Sequence, residues 1–447
     1  MPNTHILTLF SSGENVMTTE GAINITSEET TNGFLSNDMK TYYSDFLIDN
    51  AESALVHAQF GQKRPIPRNG GKTVEFRRYS ALPKASTPLT EGVTPRGTSM
   101  EMSTVRANVY QYGAYIELSD MLLMTAIDNN VLEATKLLGS QAGRTIDSVI
   151  RDVIVSAGTN VQYGEGKVNS RLELVGGEAD GNHYLTVDCI RRAARALKAK
   201  NVEKINGSYV AIIHPDVAYD LMNDPEWEKP KSYCDPADLY NGEIGKIGGV
   251  RFVESTEAKI IEADTLVKET GAKFLTIASY STKSTADSIG DGVGAATKFT
   301  LTVSDTLTNE DAEKLVGKSL QLYDEDAATV ETVKVVGVKP SANAVYLEAA
   351  PASASYASGD KAYAANAGRL GRDVYCTLVI GANAYGVIDI IGGGLEHIVK
   401  QLGSAGTGDP INQRATVGWK AAISASVLAQ EAMVRIETAS SFESGSN

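Results

Sequence analysis

Five histidines and three cysteines are the residues best able to do acid–base, redox or metal chemistry in this chain, and neither set is spaced for it. His5, His57, His183, His214 and His397 stand alone, with no HExxH pair and no Asp/Glu/His cluster at ligand spacing. Cys189, Cys234 and Cys376 form no CxxC pair and read as reduced, partly buried thiols. Gly70-Gly71-Lys72-Thr73 and Gly317-Lys318-Ser319 invite a phosphate-loop reading. The loop's first glycine, which lets the backbone wrap the phosphates, is replaced by Ile66 in one and Ala312 in the other. Gly392-Gly393-Gly394 reads as a turn into Leu395 instead of an anion loop. Gly403-Ser404-Ala405-Gly406 has the wrong spacing for a nucleophile elbow. Asp324-Glu325-Asp326 lacks the alternation and the glycine of a calcium loop. His214, just before Pro215, reads as a cap or packing residue. The expectation is therefore no catalytic residue, no cofactor and no metal.

Charge carries more information than chemistry does. The chain has 447 residues with 41 Lys+Arg against 55 Asp+Glu, a net charge of −14, which disfavours binding driven by phosphate neutralisation. That average hides two segments of opposite sign. In residues 1–50, Glu14, Glu20, Glu28, Glu29, Asp38, Asp45 and Asp49 face Lys40 alone. In residues 60–110, Lys63, Arg64, Arg68, Lys72, Arg77, Arg78, Lys84, Arg96 and Arg106 face Glu75, Glu91 and Glu101. Opposite local fields steer association and help fix register. The candidate intersubunit contacts are thus Lys63, Arg64, Arg68, Lys72, Arg77 and Arg78 on one side, and Glu28, Glu29, Asp45 and Asp49 on the other.

The elements that hold these charges follow from periodicity. Residues 1–37 are rich in Ser, Thr, Asn and Gly and read as an arm, followed by a short amphipathic helix from about Thr41 to Phe60. Thr73–Tyr79 alternates as a strand, Pro83 to Gly97 is a loop, and Val105 to Ile116 returns extended. Such a two-stranded ribbon is marginal alone and needs something to lie on. From Met121 to Val153 apolar residues recur at three and four, which predicts a long helix, kinked near Asp128 or Gly139 if at all. Thr186 to Lys200 is a second helix, followed by strands at Tyr209–Ile213, Val250–Val253 and Phe274–Ser279. Residues 281–370 carry short β runs at Phe299–Val303, Ser319–Tyr323, Glu331–Val338 and Ala344–Leu347, the texture of a small β domain inserted at a loop tip. Val374–Ile380 resumes the α/β pattern, and Val417 to Glu437 alternates roughly as a C-terminal strand. The N-terminus shows no basic, apolar leader, and Val374 to Ile391, broken by Gly381, Gly386 and Asp389, reads as two strands and a turn. No membrane association is expected.

Three stretches carry a family resemblance: Tyr209-Val210-Ala211-Ile212-Ile213-His214-Pro215-Asp216, Gly242 through Glu254, and Asp409 through Lys420. In wording, and in the order of arm, ribbon, long helix and α/β domain with a β insertion, the chain resembles the major capsid proteins of tailed bacteriophages with the Hong Kong 97-type fold. The closer likeness is to the subgroup typified by the N-four-like podoviruses. The resemblance implies an α+β fold. It would comprise an N-terminal arm (1–60), an extended loop (61–115), a peripheral domain with the spine helix (116–185), an axial domain (186–280 and 373–400), an inserted β domain (281–372) and a return to the peripheral domain (401–447). It also implies self-assembly as hexamers and pentamers into an icosahedral shell that encloses double-stranded DNA without sequence-specific binding. Portal, scaffolding and decoration proteins are the implied partners, and the implied location is the virion, after assembly in the host cytoplasm. The rivals are an encapsulin-like compartment on the same fold, against which the insertion tells, an enzyme with an unrecognised site, and a β-rich surface adhesin.

Overall fold

The computed structural model describes residues 15–16 and 25–26 and, from Leu55 onward, all but 66–71, 80–81, 83, 87, 90, 93, 95–96, 126–129, 165–167, 176–182, 228–244, 287, 325–328, 353–355, 389–394, 405–410 and 443–447. The chain divides into two compact units. One is built from residues 1–157 and 383–429, the other from 158–382 and 430–447.

The first unit is organised by the helix Asn130–Ala157. Its apolar stripe is strict: Ala134, Leu138, Ala142, Ile146, Ile150 and Ile154 are spaced by four and all buried. Twenty-eight residues give about 42 Å of helix at 1.5 Å per residue. The helix runs through Gly139 without a break, and a separate short helix, Asp120–Thr125, precedes it. Against the stripe lies a three-stranded antiparallel sheet of Leu395–Lys400, Arg414–Ile423 and Tyr110–Ser119, in that order. Alternation sends Ala415, Val417, Trp419, Ala421 and Ile423 inward. The Trp419 indole N–H donates to the Gln141 side chain at 3.3 Å. A second sheet joins Ala425–Val427, Tyr385–Ile388 and Gln62–Arg64.

Onto this second sheet the ribbon is bolted. Thr73–Tyr79 and Met102–Asn108 pair antiparallel, Val74 opposite Ala107 and Phe76 opposite Val105. That face buries Val74, Phe76 and Ala107 with Ile388 and Leu428. Gly386 is what lets Phe76 in, because a Cβ there would stand 2.4 Å from the ring. The helix expected from Thr41 to Phe60 lies largely outside the described residues, and Leu55–Phe60 forms turns.

The second unit holds a mixed sheet ordered Val161–Tyr163, Met433–Thr438, Val374–Ile380, Tyr209–Ile213, Val250–Glu254 and Lys246–Ile247, with Ile260–Ile261 paired to part of Val374–Ile380. All seven residues of Val374–Ile380 are buried. Helices Val187–Ala199 and Pro215–Met222 pack on the sheet through Ile190, Ala194, Leu197, Val217 and Leu221. The α/β strands expected at Tyr209, Val250 and Val374 are all present. Phe274–Thr282, expected beside them, instead opens the inserted β structure.

That structure is a closed barrel. Phe274–Thr282 pairs with Lys361–Ala364 and Phe299–Val303; these lead through Ser319–Asp324 and Ala344–Leu347 to Thr329–Lys339, which joins both ends. Closure leaves no free edge among the six strands. The short helix Asn309–Leu315, held by a Thr308/Asp311 capping box, adds Ala312 and Leu315 to the barrel core.

One expectation is corrected. Val417 to Glu437 is not one strand: it breaks into Arg414–Ile423, Ala425–Val427 and Met433–Thr438, and the last belongs to the sheet of the second unit. Leu395–Lys400 pairs with Arg414–Ile423, where its alternation matches a half-covered sheet.

Candidate assembly surfaces

Adjacent residues of a strand face opposite ways, and this sorts the basic candidates of the ribbon. Arg77 is exposed and stands opposite Thr104 on the outer face. Arg78 is turned inward, and its guanidinium donates to the Leu428 carbonyl at 3.5 Å. Glu75 and Arg106, directly opposite on the outer face, form an ion pair at 2.8 Å. Lys72 is exposed at the ribbon's foot, where its carbonyl accepts the Val109 N–H at 2.8 Å. Lys63 and Arg64 sit on the strand Gln62–Arg64, parallel to Tyr385–Ile388, with Lys63 exposed and Arg64 half-buried. The structure therefore gathers Glu75, Arg77 and Arg106 on one surface and leaves Lys63, Arg64 and Arg78 elsewhere. Arg68, Glu28, Glu29, Asp45 and Asp49 lie outside the described residues.

Exposed apolar side chains were not legible as a surface in the sequence. Tyr79 and Met102 face each other on the outer side of the ribbon, and Leu82, Leu89 and Met100 follow toward its tip, Leu89 at 77% exposure. Tyr115, Met121, Leu122 and Met124 are exposed as well, Met124 at 76%. Single exposed apolar side chains are ordinary, so the adjacent pair Tyr79 and Met102 is the stronger candidate for contact with another molecule. The one available signal was parity: Tyr79 and Arg77 share a face, opposite to that of Phe76 and Val74.

The outer face of the three-stranded sheet is hollow. Gly113 and Gly418 occupy its centre, Tyr115 and Ile398 flank them, and the groove holds about 520 Å³. Its rim is closed by two ion pairs, Lys420–Glu396 at 3.3 Å and Arg414–Glu117 at 3.9 Å. Both glycines are needed by the fold itself, since a Cβ at 113 would meet the Trp419 carbonyl at 2.7 Å and one at 418 the Tyr115 Cβ at 2.8 Å.

Each unit contains a buried polar cluster. His57 donates its backbone N–H to Asp147 at 2.7 Å and sets Nδ1 at 2.6 Å from the other carboxylate oxygen, both residues being fully buried. The Tyr385 hydroxyl donates to the His57 carbonyl; burial, with the nearby Asp147 charge, pushes that phenol well above its usual range. The cluster ties the segment before the ribbon to the spine helix. In the second unit the buried Glu437 accepts from Arg171 at 2.7 and 2.8 Å and lies 3.0 Å from Arg435. Burial, then the Glu437 charge, pushes the neighbouring Cys376 thiol up to about 12. His214 caps the helix Pro215–Met222 by accepting the Asp216 N–H, and burial lowers its pKa against the pull of Asp216. No group of three or more His, Cys, Asp or Glu among the described residues is placed to hold a metal ion. None of the described helices is long and apolar enough to cross a membrane.

Residues 101–273 match the family described as "Phage capsid protein". That stretch runs from the ribbon's second strand through the spine helix and the helix Val187–Ala199 to the foot of the barrel. No curated protein matches the chain. Among solved structures, the capsid of Ralstonia phage GP4 is similar at 11% identity, with 97% of this chain and 100% of that one covered and a TM-score of 0.49. The capsid of Helicobacter pylori bacteriophage KHP30 is similar at 10% identity, 94% and 95% coverage and a TM-score of 0.48. A virus-like particle from Pyrococcus furiosus is similar at 8% identity, 89% and 99% coverage and a TM-score of 0.38.

Proposed function

We propose that this chain is the major capsid protein of a tailed bacteriophage, related to the N-four-like subgroup, and that it builds an icosahedral shell of hexamers and pentamers around double-stranded DNA. The observation that carries the reading is the capsid-family match over 101–273, which falls on the ribbon, the spine helix and the first strands of the α/β sheet. The geometry supports it: a ribbon fixed at its foot by Phe76, with apolar side chains exposed toward its tip, suits contact with another subunit. In this reading the first unit does the work of a peripheral domain, the sheet of the second that of an axial domain, and the barrel is an insertion on the latter. The protein works by assembly and not by catalysis. Portal, scaffolding and decoration proteins are its further partners, and assembly takes place in the host cytoplasm before DNA fills the shell.

Purified protein, alone or with a scaffolding partner, is expected to give uniform capsomers or closed shells in electron micrographs. A monomer that persists at high concentration under every condition tried would refute the reading.

A further inference from the structure

Residues 440–442, the last described, are strapped onto one short helix of the second unit. Asp220, on the helix Pro215–Met222, is buried and accepts from the Ser440 hydroxyl at 2.7 Å, the Ser441 N–H at 3.0 Å and the Ser441 hydroxyl. The Phe442 N–H donates to the Ser440 hydroxyl oxygen at 3.3 Å, and the Phe442 ring stands edge-on to Tyr219 with 5.3 Å between centroids. Asp220 and Tyr219 both belong to a helix of eight residues, too short to keep its shape without its cap and its packing. The strap is as firm as that helix.

The cap is a histidine. His214 Nδ1 accepts the Asp216 N–H at 3.3 Å; a nitrogen that accepts carries no proton, so the imidazole is neutral here. Its ring lies 5.4 Å from that of the buried Tyr375, whose hydroxyl shares its proton between Asp216 Oδ2 at 2.8 Å and the Phe442 carbonyl at 3.3 Å. One chain of contacts thus runs from His214 through Asp216 and Tyr375 to the strap. Asp216 of its own helix and Tyr375 of the strand Val374–Ile380 face the imidazole. Glu254, opposite Ile213 on the neighbouring strand, is exposed, and Asp220, one turn along the helix, is engaged by the two serines.

We propose that residues 440–442 form a pH-sensitive strap, closed while His214 is neutral and released with the helix Pro215–Met222 when His214 takes up a proton. A proton on Nδ1 fills the lone pair that caps the helix and sets two N–H groups against each other. Asp216 Oδ2, 3.4 Å from Nδ1, offers an ion pair in return, but by turning away from Tyr375. Burial outweighs that pull and holds the His214 pKa below its ordinary value of 6.5, so the closed arrangement disfavours the proton. Closure is therefore complete above pH 6.5 and weakens as the pH falls below it.

Hydrogen exchange of the full chain tests the strap, read by mass spectrometry on the C-terminal peptide and corrected for the intrinsic rate at each pH. A histidine that titrates normally once the strap is open should lower its protection at least threefold, and up to about tenfold, between about pH 7.5 and pH 5.5. His214→Asn keeps the cap without a titrating group, and there the protection should be unchanged over the same range. At both pH values the strap should exchange faster than the amides of Val374–Ile380, because it opens without the sheet. Asp220→Ala should leave the strap unprotected throughout. A smaller fall in the wild type would overturn the proposal, and so would a fall that persists in His214→Asn, which would place the titration on another group. Protection equal to that of Val374–Ile380 would also overturn it, since the strap would then leave only when the sheet unfolds. Protection retained in Asp220→Ala would show that the serines do not hold the strap and would count against it equally.

Discussion

Replacing Gly386 by alanine tests the joint on which the ribbon stands. The residue has ordinary backbone torsion, so the methyl group itself is the whole perturbation, and it would sit 2.4 Å from two ring carbons of the fully buried Phe76. Overpacking of this kind costs about 1–3 kcal/mol. In a unit of this size each kcal/mol lowers the melting temperature by about 2–4 °C, so a fall of about 2–12 °C is expected. Phe76→Ala vacates the same space and should cost about 3–5 kcal/mol through the cavity it leaves among Val74, Ala107, Ile388 and Leu428. In that background the extra methyl has room, and Gly386→Ala should cost less than about 0.5 kcal/mol. Urea denaturation of the four proteins of this cycle, with hydrogen exchange at the amides of Thr73–Tyr79, reads both the energy and its location. Losses that add to within about 0.5 kcal/mol would show that the ring and the glycine are independent, and the account of the joint would be wrong.

Three further outcomes are expected. Arg77→Glu should slow assembly while leaving denaturation within about 0.5 kcal/mol of wild type, whereas Arg78→Glu, which buries a carboxylate against the Leu428 carbonyl, should lower stability too; equal thermal losses would contradict the assigned faces. Glu437→Gln leaves Arg171 and Arg435 without their shared carboxylate and should cost about 3–5 kcal/mol in urea denaturation, and a loss below 1 kcal/mol would mean that water already screens the site. Burial holds His214 and His397 below the ordinary value of 6.5, so the unfolded chain binds more protons than the folded one as pH falls through that region. Stability should therefore be full above pH 6.5 and decline below it, with a smaller decline in His214→Asn/His397→Gln, where the asparagine keeps the helix cap; an unchanged slope would reject the burial argument.

Much of this fold was legible because its strongest elements carry their own periodicity. Ala134 to Ile154 places an apolar residue at every fourth position, and the barrel strands Phe299–Val303 and Ala344–Leu347 fell where turn residues bracket short β-like runs. What escaped was decided by partners distant in sequence. Phe274–Thr282 reads like any α/β strand, and its place in the barrel depends on Lys361–Ala364 closing beside it. Met433–Thr438 looks continuous with the alternation before it; the 3₁₀ turn Gln430–Ala432 and the carbonyl of Asn160, which accepts the Arg435 N–H, redirect it. The exposed faces were half visible. Charge marked the ribbon but could not say that Arg77 and Arg78 diverge, since that follows from which face Phe76 anchors. The apolar side chains that face outward beside them resemble core residues until the strand register is known.

The position of Met433–Thr438 has a consequence for biosynthesis. This strand lies between Val161–Tyr163 and Val374–Ile380, and it follows in the chain every other strand of its sheet. The barrel, whose strands run from Phe274 to Ala364, can close while translation continues, but the sheet beside it stays open until its final strand emerges from the ribosome. A nascent or prematurely terminated chain therefore lacks a finished second unit.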